Sequence, residues 1–158
     1  HAEFFSFYLY LSVAAYFTAH HLDGFAHWMR IQAQEEFALA MKLFDHLAER
    51  GGTVELMALD GPQKEWTSPS AAVEAVLNHE RHISQRINQI VDLANAENDH
   101  ATTVMMHWYV NEQVEEEATA DTLFHQVKMV EDSPHGLLMI DRELAGRPAP
   151  VAAGTEAE

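Results

Sequence analysis

Several glutamates fall inside stretches of the sequence where a helical period calls for apolar residues. Between residues 73 and 90, valine, leucine and isoleucine recur every three to four positions, and Glu80 lies in the middle of this stripe. Glu36 lies in the same way among the apolar residues of positions 25–47, with Glu35 on its flank. With the first and fourth helices included, the pattern predicts these inward-facing acids: Glu3, Glu35, Glu36, Glu80, Glu112, Glu115 and Glu116.

This set of acids points to a metal site. A single glutamate on an apolar stripe is more often a boundary residue that reaches solvent. Burying a whole set of ionised carboxylates is different, because each lowers the stability of the fold by on the order of several kcal/mol unless a positive charge or hydrogen bonds compensate it. The arginines and lysines mostly lie off the apolar faces, so ion pairs do not supply this compensation. The chain has no cysteine, which excludes thiolate ligands. Oxygen ligands favour hard cations and stabilise Fe(III) relative to Fe(II).

Helices account for nearly all of the sequence. We predict long helices over about residues 1–20, 23–50, 68–98 and 100–130, and a short one within 137–144. The chain opens inside an apolar run, so we expect the first helix to be a truncated core helix. Asp23 and Ser68 are the expected N-caps of the second and third helices, and Pro69 takes the first position of the third. Gly51 and Gly52 end the second helix, and residues 51–67 predict a long crossover.

The fold class that follows is all-α, a four-helix bundle with one long connection between helices 2 and 3. At 158 residues, 47% of them hydrophobic, the chain has the size of one ordinary domain. We place this domain at residues 1–146. The remaining segment, 147–158, is rich in proline, alanine and glycine and predicts a flexible tail.

The composition argues against two classes of partner. The formal net charge is −16 and no block of basic residues is present, so nucleic acid is not an expected partner. The apolar run from Phe4 to Phe17 is shorter than the roughly 20 residues of a membrane span and follows no basic segment, so we expect no membrane partner. The absence of cysteine fits a reducing cytoplasm, where we expect the protein.

Four segments of the sequence resemble the bacterial and archaeal non-haem ferritins. They are Glu3–Tyr10, Trp28–Glu36, His79–Glu80 and Trp108–Glu117, and the resemblance extends from residue 3 to about residue 146. It implies a ferritin-like four-helix bundle with a short fifth helix, assembled as a homo-oligomeric shell of twenty-four subunits. The implied activity is oxidation of Fe(II) by dioxygen or peroxide, followed by storage of Fe(III) as mineral inside the shell.

The resemblance also assigns residues to metal sites. Glu3 and Glu36 would hold one iron of a ferroxidase pair. Glu36 would bridge to a second iron held by Glu80, with Gln113 beside it. The remaining assignments are a third iron site at Glu35, Glu112, Glu115 and Glu116, and two aromatic neighbours of the diiron centre, Tyr10 and Trp108. Both aromatics fit plain core positions equally well.

One ligand of the family pattern is missing. The second helix of the family reads Glu-x-x-His, whose histidine binds the first iron, whereas this sequence reads Glu36-Phe-Ala-Leu39. None of the 11 histidines is an evident substitute, and we expect most of them at the solvated surface. Phe37 stands where haem-binding relatives carry methionine, so we expect non-haem iron and no haem.

Three functions are compatible with this sequence. The first is a ferritin subunit with ferroxidase activity. The second is a shell subunit whose centre is disabled by Leu39 and which assembles and nucleates mineral without efficient oxidation. The third is a helical interaction module whose acids are solvated.

Overall fold

Five α-helices and no strand occur in residues 1–149, the part of the chain that the computed structural model describes. The helices are α1 (Ala2–Ala19), α2 (Asp23–Glu49), α3 (Pro69–Ala96), α4 (His100–Met129) and α5 (Pro134–Leu144). The predicted all-α class is confirmed, and the predicted long helices agree with the observed ones within a few residues. Residues 150–158 of the predicted tail lie outside the described part.

Two compact units make up the chain. The first contains residues 1–65 and the described residues from 138 onward, and the second contains residues 66–137. In the first unit α1 packs against α2, and in the second α3 packs against α4. Each pair is a helical hairpin with a connection of a few residues, and each connection contains one residue in the left-handed region, His21 with φ 57° and Asn98 with φ 56°.

Aromatic side chains fill much of the first unit. Phe17 and Phe25 stack with ring centroids 4.8 Å apart, and both are fully buried. Tyr10, Val13 and Met29 are buried to the same extent. Since burying a large apolar side chain contributes roughly 1.5–3 kcal/mol, this packing is a main source of stability for the α1–α2 pair.

The amino end of α2 is capped differently from the prediction. The N-cap is Leu22, and Asp23 is the first helical residue. The Leu22 side chain accepts no hydrogen bond from the helix end. Instead, the Asp141 carboxylate of α5 accepts from the backbone N–H groups of Gly24 at 2.8 Å and Phe25 at 3.0 Å. Leu22 is buried, so its apolar side chain is used for packing while a distant acid satisfies the helix end.

Gly24 permits this approach of α5. A Cβ atom at position 24 would lie 1.7 Å from the carbonyl oxygen of Asp141. Any side chain there would therefore push α5 away from the start of α2.

Side chains cap the amino ends of both helices of the second unit. Ser68 Oγ accepts from the backbone N–H of Ala71, and Pro69 takes the first helical position, as predicted. Asp99 caps α4 by accepting from the backbone N–H of Thr102 at 3.1 Å. The apolar stripe of α3 is buried along most of its length, although Ile90 is 38% exposed.

The long crossover between α2 and α3 has no helix or strand over residues 52–66. Ser12 Oγ of α1 donates to the backbone carbonyl of Gln63 at 2.6 Å, which ties the crossover to the first helix. The described chain contains no helix that is long and apolar enough to cross a bilayer.

Candidate metal centre

Glu80 and Gln113 form a buried polar pair in the second unit. Glu80 lies on α3 and Gln113 on α4, and their exposed fractions are 1% and 4%. Gln113 Nε2 donates to Glu80 Oε2 at 3.1 Å and to the backbone carbonyl of Glu80 at 3.2 Å. The two residues that the family resemblance places at the second iron are thus in direct contact.

Ser84 and Glu117 extend this pair toward the surface. Ser84 follows Glu80 by one helical turn and Glu117 follows Gln113 by one turn, so all four side chains share facing sides of α3 and α4. Gln113 Nε2 lies 3.4 Å from Ser84 Oγ, which in turn donates to the Glu117 carboxylate. A cavity of about 290 Å³ adjoins the chain of contacts and is lined by Ser84, Ile87, Asn88, Val110, Gln113, Val114 and Glu117.

The first unit contributes two further buried acids. Glu3 on α1 is 4% exposed and Glu36 on α2 is 1% exposed. Leu39 is also buried, at 8%, one turn beyond Glu36 on the same side of the helix. Tyr10 is fully buried on α1. The position that the family pattern gives to histidine therefore faces inward and holds an apolar side chain.

The prediction that all the assigned acids face inward is wrong for four of them. Glu35, Glu112 and Glu116 are only half-buried, and Glu115 is exposed. The buried face of α4 contains Met106, Tyr109 and Gln113, and the three acids of this helix are not among its buried residues. Trp108 is 37% exposed.

Glu35 forms an ion pair with Arg147, which follows α5. Arg147 Nη2 donates to both carboxylate oxygens of Glu35, at 3.1 and 2.8 Å, and Arg147 Nη1 donates to Gln32. The Arg147 guanidinium lies over the Trp28 ring, 5.0 Å from its centroid. The expectation that ion pairing does not reach these acids is therefore wrong for Glu35, and Arg147, which we placed in a flexible tail, is anchored to α2.

His79 departs from the expected surface histidine. It is half-buried beside Glu80, and burial, with a smaller contribution from His82, lowers its pKa to about 4. The two imidazole centroids are 6.4 Å apart. At neutral pH His79 is therefore uncharged and adds no positive charge next to the buried carboxylate.

No group of three or more His, Asp or Glu side chains within residues 1–149 is arranged so that it holds a metal ion. A metal centre built from these residue types would therefore need the acid side chains to move.

Comparison with known proteins shows the family. A model of the ferritin-like domain matches residues 1–130. The chain belongs to the ferritin-like family. Bacterial non-heme ferritin of Bacteroides fragilis is 40% identical over 146 residues, which cover 92% of this chain and 91% of that protein. The protein of the same name from Escherichia coli O157:H7 is 32% identical over 90% of this chain and 87% of its own length.

Solved ferritin structures show the same fold. The open pore ferritin of Archaeoglobus fulgidus superposes with a TM-score of 0.92 at 47% identity, covering 93% of this chain and 90% of that one. A closed form of this archaeal ferritin, made by mutagenesis, gives a TM-score of 0.93 at 46% identity, covering 94% and 91%. The chain therefore has the all-α ferritin fold, as the sequence predicted.

Sequence reasoning missed Ser84, Glu117 and Arg147. A signal existed for the first two, because each lies four residues after a predicted site residue and so on the same helix face. Arg147 gave no signal, since it follows α5 in a segment without periodicity. Its contact with Glu35 depends on where the chain leaves α5.

Proposed function

We propose that this chain is an iron-storage ferritin subunit that binds Fe(II), oxidises it to Fe(III) and stores it as mineral inside a hollow shell. The observation that supports this most is the burial of Glu3, Glu36 and Glu80, on three different helices of a ferritin-family chain. Buried carboxylates cost on the order of several kcal/mol each unless a cation or hydrogen bonds compensate them. Iron as substrate supplies that cation.

The ligands in this proposal are those that the family resemblance assigns. Glu3 and Glu36 bind the first iron, Glu36 bridges to the second, and Glu80 binds the second. Each Fe(II) gives up one electron, so a pair of ions supplies the two electrons that, with two protons, reduce dioxygen to hydrogen peroxide. Carboxylate oxygens favour the Fe(III) product over Fe(II), which supplies part of the driving force. Glu35, Glu112, Glu115 and Glu116 form the proposed third site.

Tyr10 and the shell complete the proposal. Tyr10 is fully buried on the helix that contains Glu3, two helical turns further along, which fits a residue beside the oxidation centre. Twenty-four copies form the shell, as the family resemblance implies, and we place it in the cytoplasm.

Leu39 supports a second candidate function. It is buried where the family pattern has a histidine ligand, so the first iron has two carboxylates and lacks imidazole. In this alternative the chain assembles into a shell and nucleates mineral on acidic surface without efficient oxidation.

Anaerobic titration with Fe(II), followed by exposure to dioxygen, tests both candidates. Tight binding of two or three Fe(II) per chain and rapid formation of ferric absorbance support the ferroxidase. Loose binding and slow oxidation in a normally assembled shell support the disabled centre. Protein that binds no Fe(II) excludes both and favours a helical interaction module. Glu80→Ala is the matched control, because it removes a proposed ligand and leaves Glu35 and its partners intact.

A further inference from the structure

The amide of Gln113 is oriented by residues that do not themselves reach Glu80. We infer that Ser84 and Glu117 are positioning residues, which orient Gln113 as a hydrogen-bond donor to Glu80. The inference rests on the proposed function, because it assigns Glu80 to the second iron.

The direction of the hydrogen bonds follows from the hydrogens that each group has. A carboxylate only accepts, so the hydrogen between Glu117 and Ser84 belongs to the serine hydroxyl. That hydroxyl has one hydrogen, so toward Gln113 it can only accept. The oxygen of the Gln113 amide has no hydrogen to offer, so Nε2 takes this position, 3.4 Å from Ser84 Oγ.

The same nitrogen then faces Glu80, and its two hydrogens serve three acceptors, so one N–H is shared between two of them. Gln113 Nε2 donates to Glu80 Oε2 at 3.1 Å and to the Glu80 backbone carbonyl at 3.2 Å, so the carboxylate is fixed relative to its own helix. Gln113 therefore influences the second iron through Glu80. Partners of this kind typically change metal affinity by about 10- to 100-fold.

Space around Ser84 allows a conservative test of this role. Ser84 lines the cavity of about 290 Å³, so Ser84→Thr adds a methyl group where room exists and keeps the hydroxyl. Ser84→Ala removes only the hydroxyl. Gln85→Ala is the matched control, because Gln85 is the next residue on α3 and its polar side chain is exposed.

The test uses Co(II) binding to the full-length protein under argon, followed by its visible absorption. Glu80→Ala identifies the absorption that belongs to the second site. We expect Ser84→Ala to weaken Co(II) at that site by about 10-fold. Ser84→Thr and Gln85→Ala should stay within about 2-fold of the wild type, since both leave at position 84 a hydroxyl that accepts from Gln113.

A double-mutant cycle tests whether Ser84 acts through Gln113. Gln113→Leu should weaken the second site, and adding Ser84→Ala to Gln113→Leu should cause no further loss. A purely structural role of Ser84 would instead give the same loss in both backgrounds.

Three results would overturn the inference. One is unchanged Co(II) affinity in Ser84→Ala, another is equal loss in Ser84→Thr, and the third is additive behaviour with Gln113→Leu. A wild-type protein that binds no Co(II) and oxidises no Fe(II) would instead overturn the proposed function itself. Fe(II) oxidation by the wild type, measured in parallel, distinguishes these failures.

Discussion

Gln113 Nε2 lies 3.1 Å from Glu80 Oε2, so α3 and α4 meet at a buried hydrogen bond between an amide and a carboxylate. Hydrogen bonds to charged groups contribute about 1.5–3 kcal/mol, and loss of one partner leaves a desolvated charge. The contact thus stabilises the second unit and fixes the carboxylate that we propose as a ligand of the second iron.

Glu36→Ala should slow iron oxidation more than Glu35→Ala. Glu36 is 1% exposed and is the proposed bridge, so its loss removes a ligand from both irons. Glu35 is half-buried, pairs with Arg147 and serves only the third site in our proposal. Initial rates of ferric absorbance after mixing Fe(II) with oxygenated buffer give the order. Equal rates in the two variants, or the reverse order, would show that the assignment is wrong.

The helices of this fold were predictable because their signals are local. An apolar stripe, a serine followed by proline, and a glycine pair each depend on a few neighbouring residues, and the observed end of α2 and start of α3 agree with them. The buried acids Glu36 and Glu80 were predictable for the same reason. Each interrupts an apolar stripe whose direction the surrounding residues already determine.

The contacts that the sequence did not reveal are non-local. Asp141 caps α2 from more than a hundred residues away, and Arg147 reaches Glu35 over a similar distance. On α4 apolar residues are consecutive at positions 104–106 and 108–110, so they do not determine which face is buried, and Tyr109 lies in the core while Trp108 is partly exposed. Whether Glu35 binds Arg147 or a metal depends on competition, which spacing along the chain does not encode.

Arg147→Ala should destabilise the first unit in the metal-free protein. Arg147 and Glu35 have side-chain exposures of 25% and 30%, so their pair is partly shielded, and we expect a loss of about 1 kcal/mol. For a chain of this size that corresponds to a fall in Tm of about 2–4 °C. Arg142→Ala is the control, because Arg142 is exposed on α5. Scanning calorimetry that gives the same Tm for both variants would show that the Arg147 contacts contribute nothing.

The same substitution should strengthen cation binding at Glu35. Without the guanidinium the carboxylate can turn to another cation, so Arg147→Ala should bind a third equivalent of Fe(II) more tightly than the wild type does. Anaerobic calorimetric titration measures this. Unchanged binding would indicate that Glu35 does not belong to a metal site.

Glu131→Gln should lower Tm at neutral pH and have less effect in acid. The hydrogen bond from Lys128 lowers the pKa of Glu131 most, and the hydrogen bond from Ser70 lowers it further. A carboxyl with a lowered pKa in the folded state stabilises the protein above its unfolded pKa, and this contribution disappears as the pH falls through the folded pKa. Because the group is at the surface, we expect a decrease of at most about 4 °C at pH 7. Calorimetry at pH 7 and at about pH 4 should show that the difference in Tm between variant and wild type is smaller at the lower pH. A difference that is independent of pH would contradict the electrostatic explanation.

The chain should sediment as a large hollow oligomer at neutral pH and moderate salt. On α5, Leu138 is 49% and Met139 60% exposed, which is unfavourable unless another surface covers them. Met139→Glu should therefore weaken assembly more than Glu143→Gln, which changes an exposed polar residue of the same helix. Sedimentation velocity measures the size of each. A wild-type monomer or dimer would count against the storage function.

Leu39→His should restore a ligand that the proposed centre lacks. Leu39 is 8% exposed and lies one helical turn beyond Glu36, so an imidazole at this position shares the face of the proposed bridging carboxylate. A neutral nitrogen donor should raise the affinity of the first site for Fe(II) by about 10-fold or more, because even residues that only hydrogen-bond to metal ligands change metal affinity by that factor. Oxidation should become faster in proportion to occupancy.

The stability of Leu39→His provides the decisive control. Replacing a buried leucine by a polar ring should cost about 1–3 kcal/mol in the metal-free protein, because the imidazole loses its hydration. Fe(II) or Co(II) should recover part of this loss, since a ligand that binds only the folded state raises its stability. Ala38→His, on the exposed side of the same helix, should show neither the loss nor the recovery. If metal leaves the Tm of Leu39→His unchanged and oxidation does not accelerate, position 39 does not face an iron site, and the missing histidine cannot explain a weak centre.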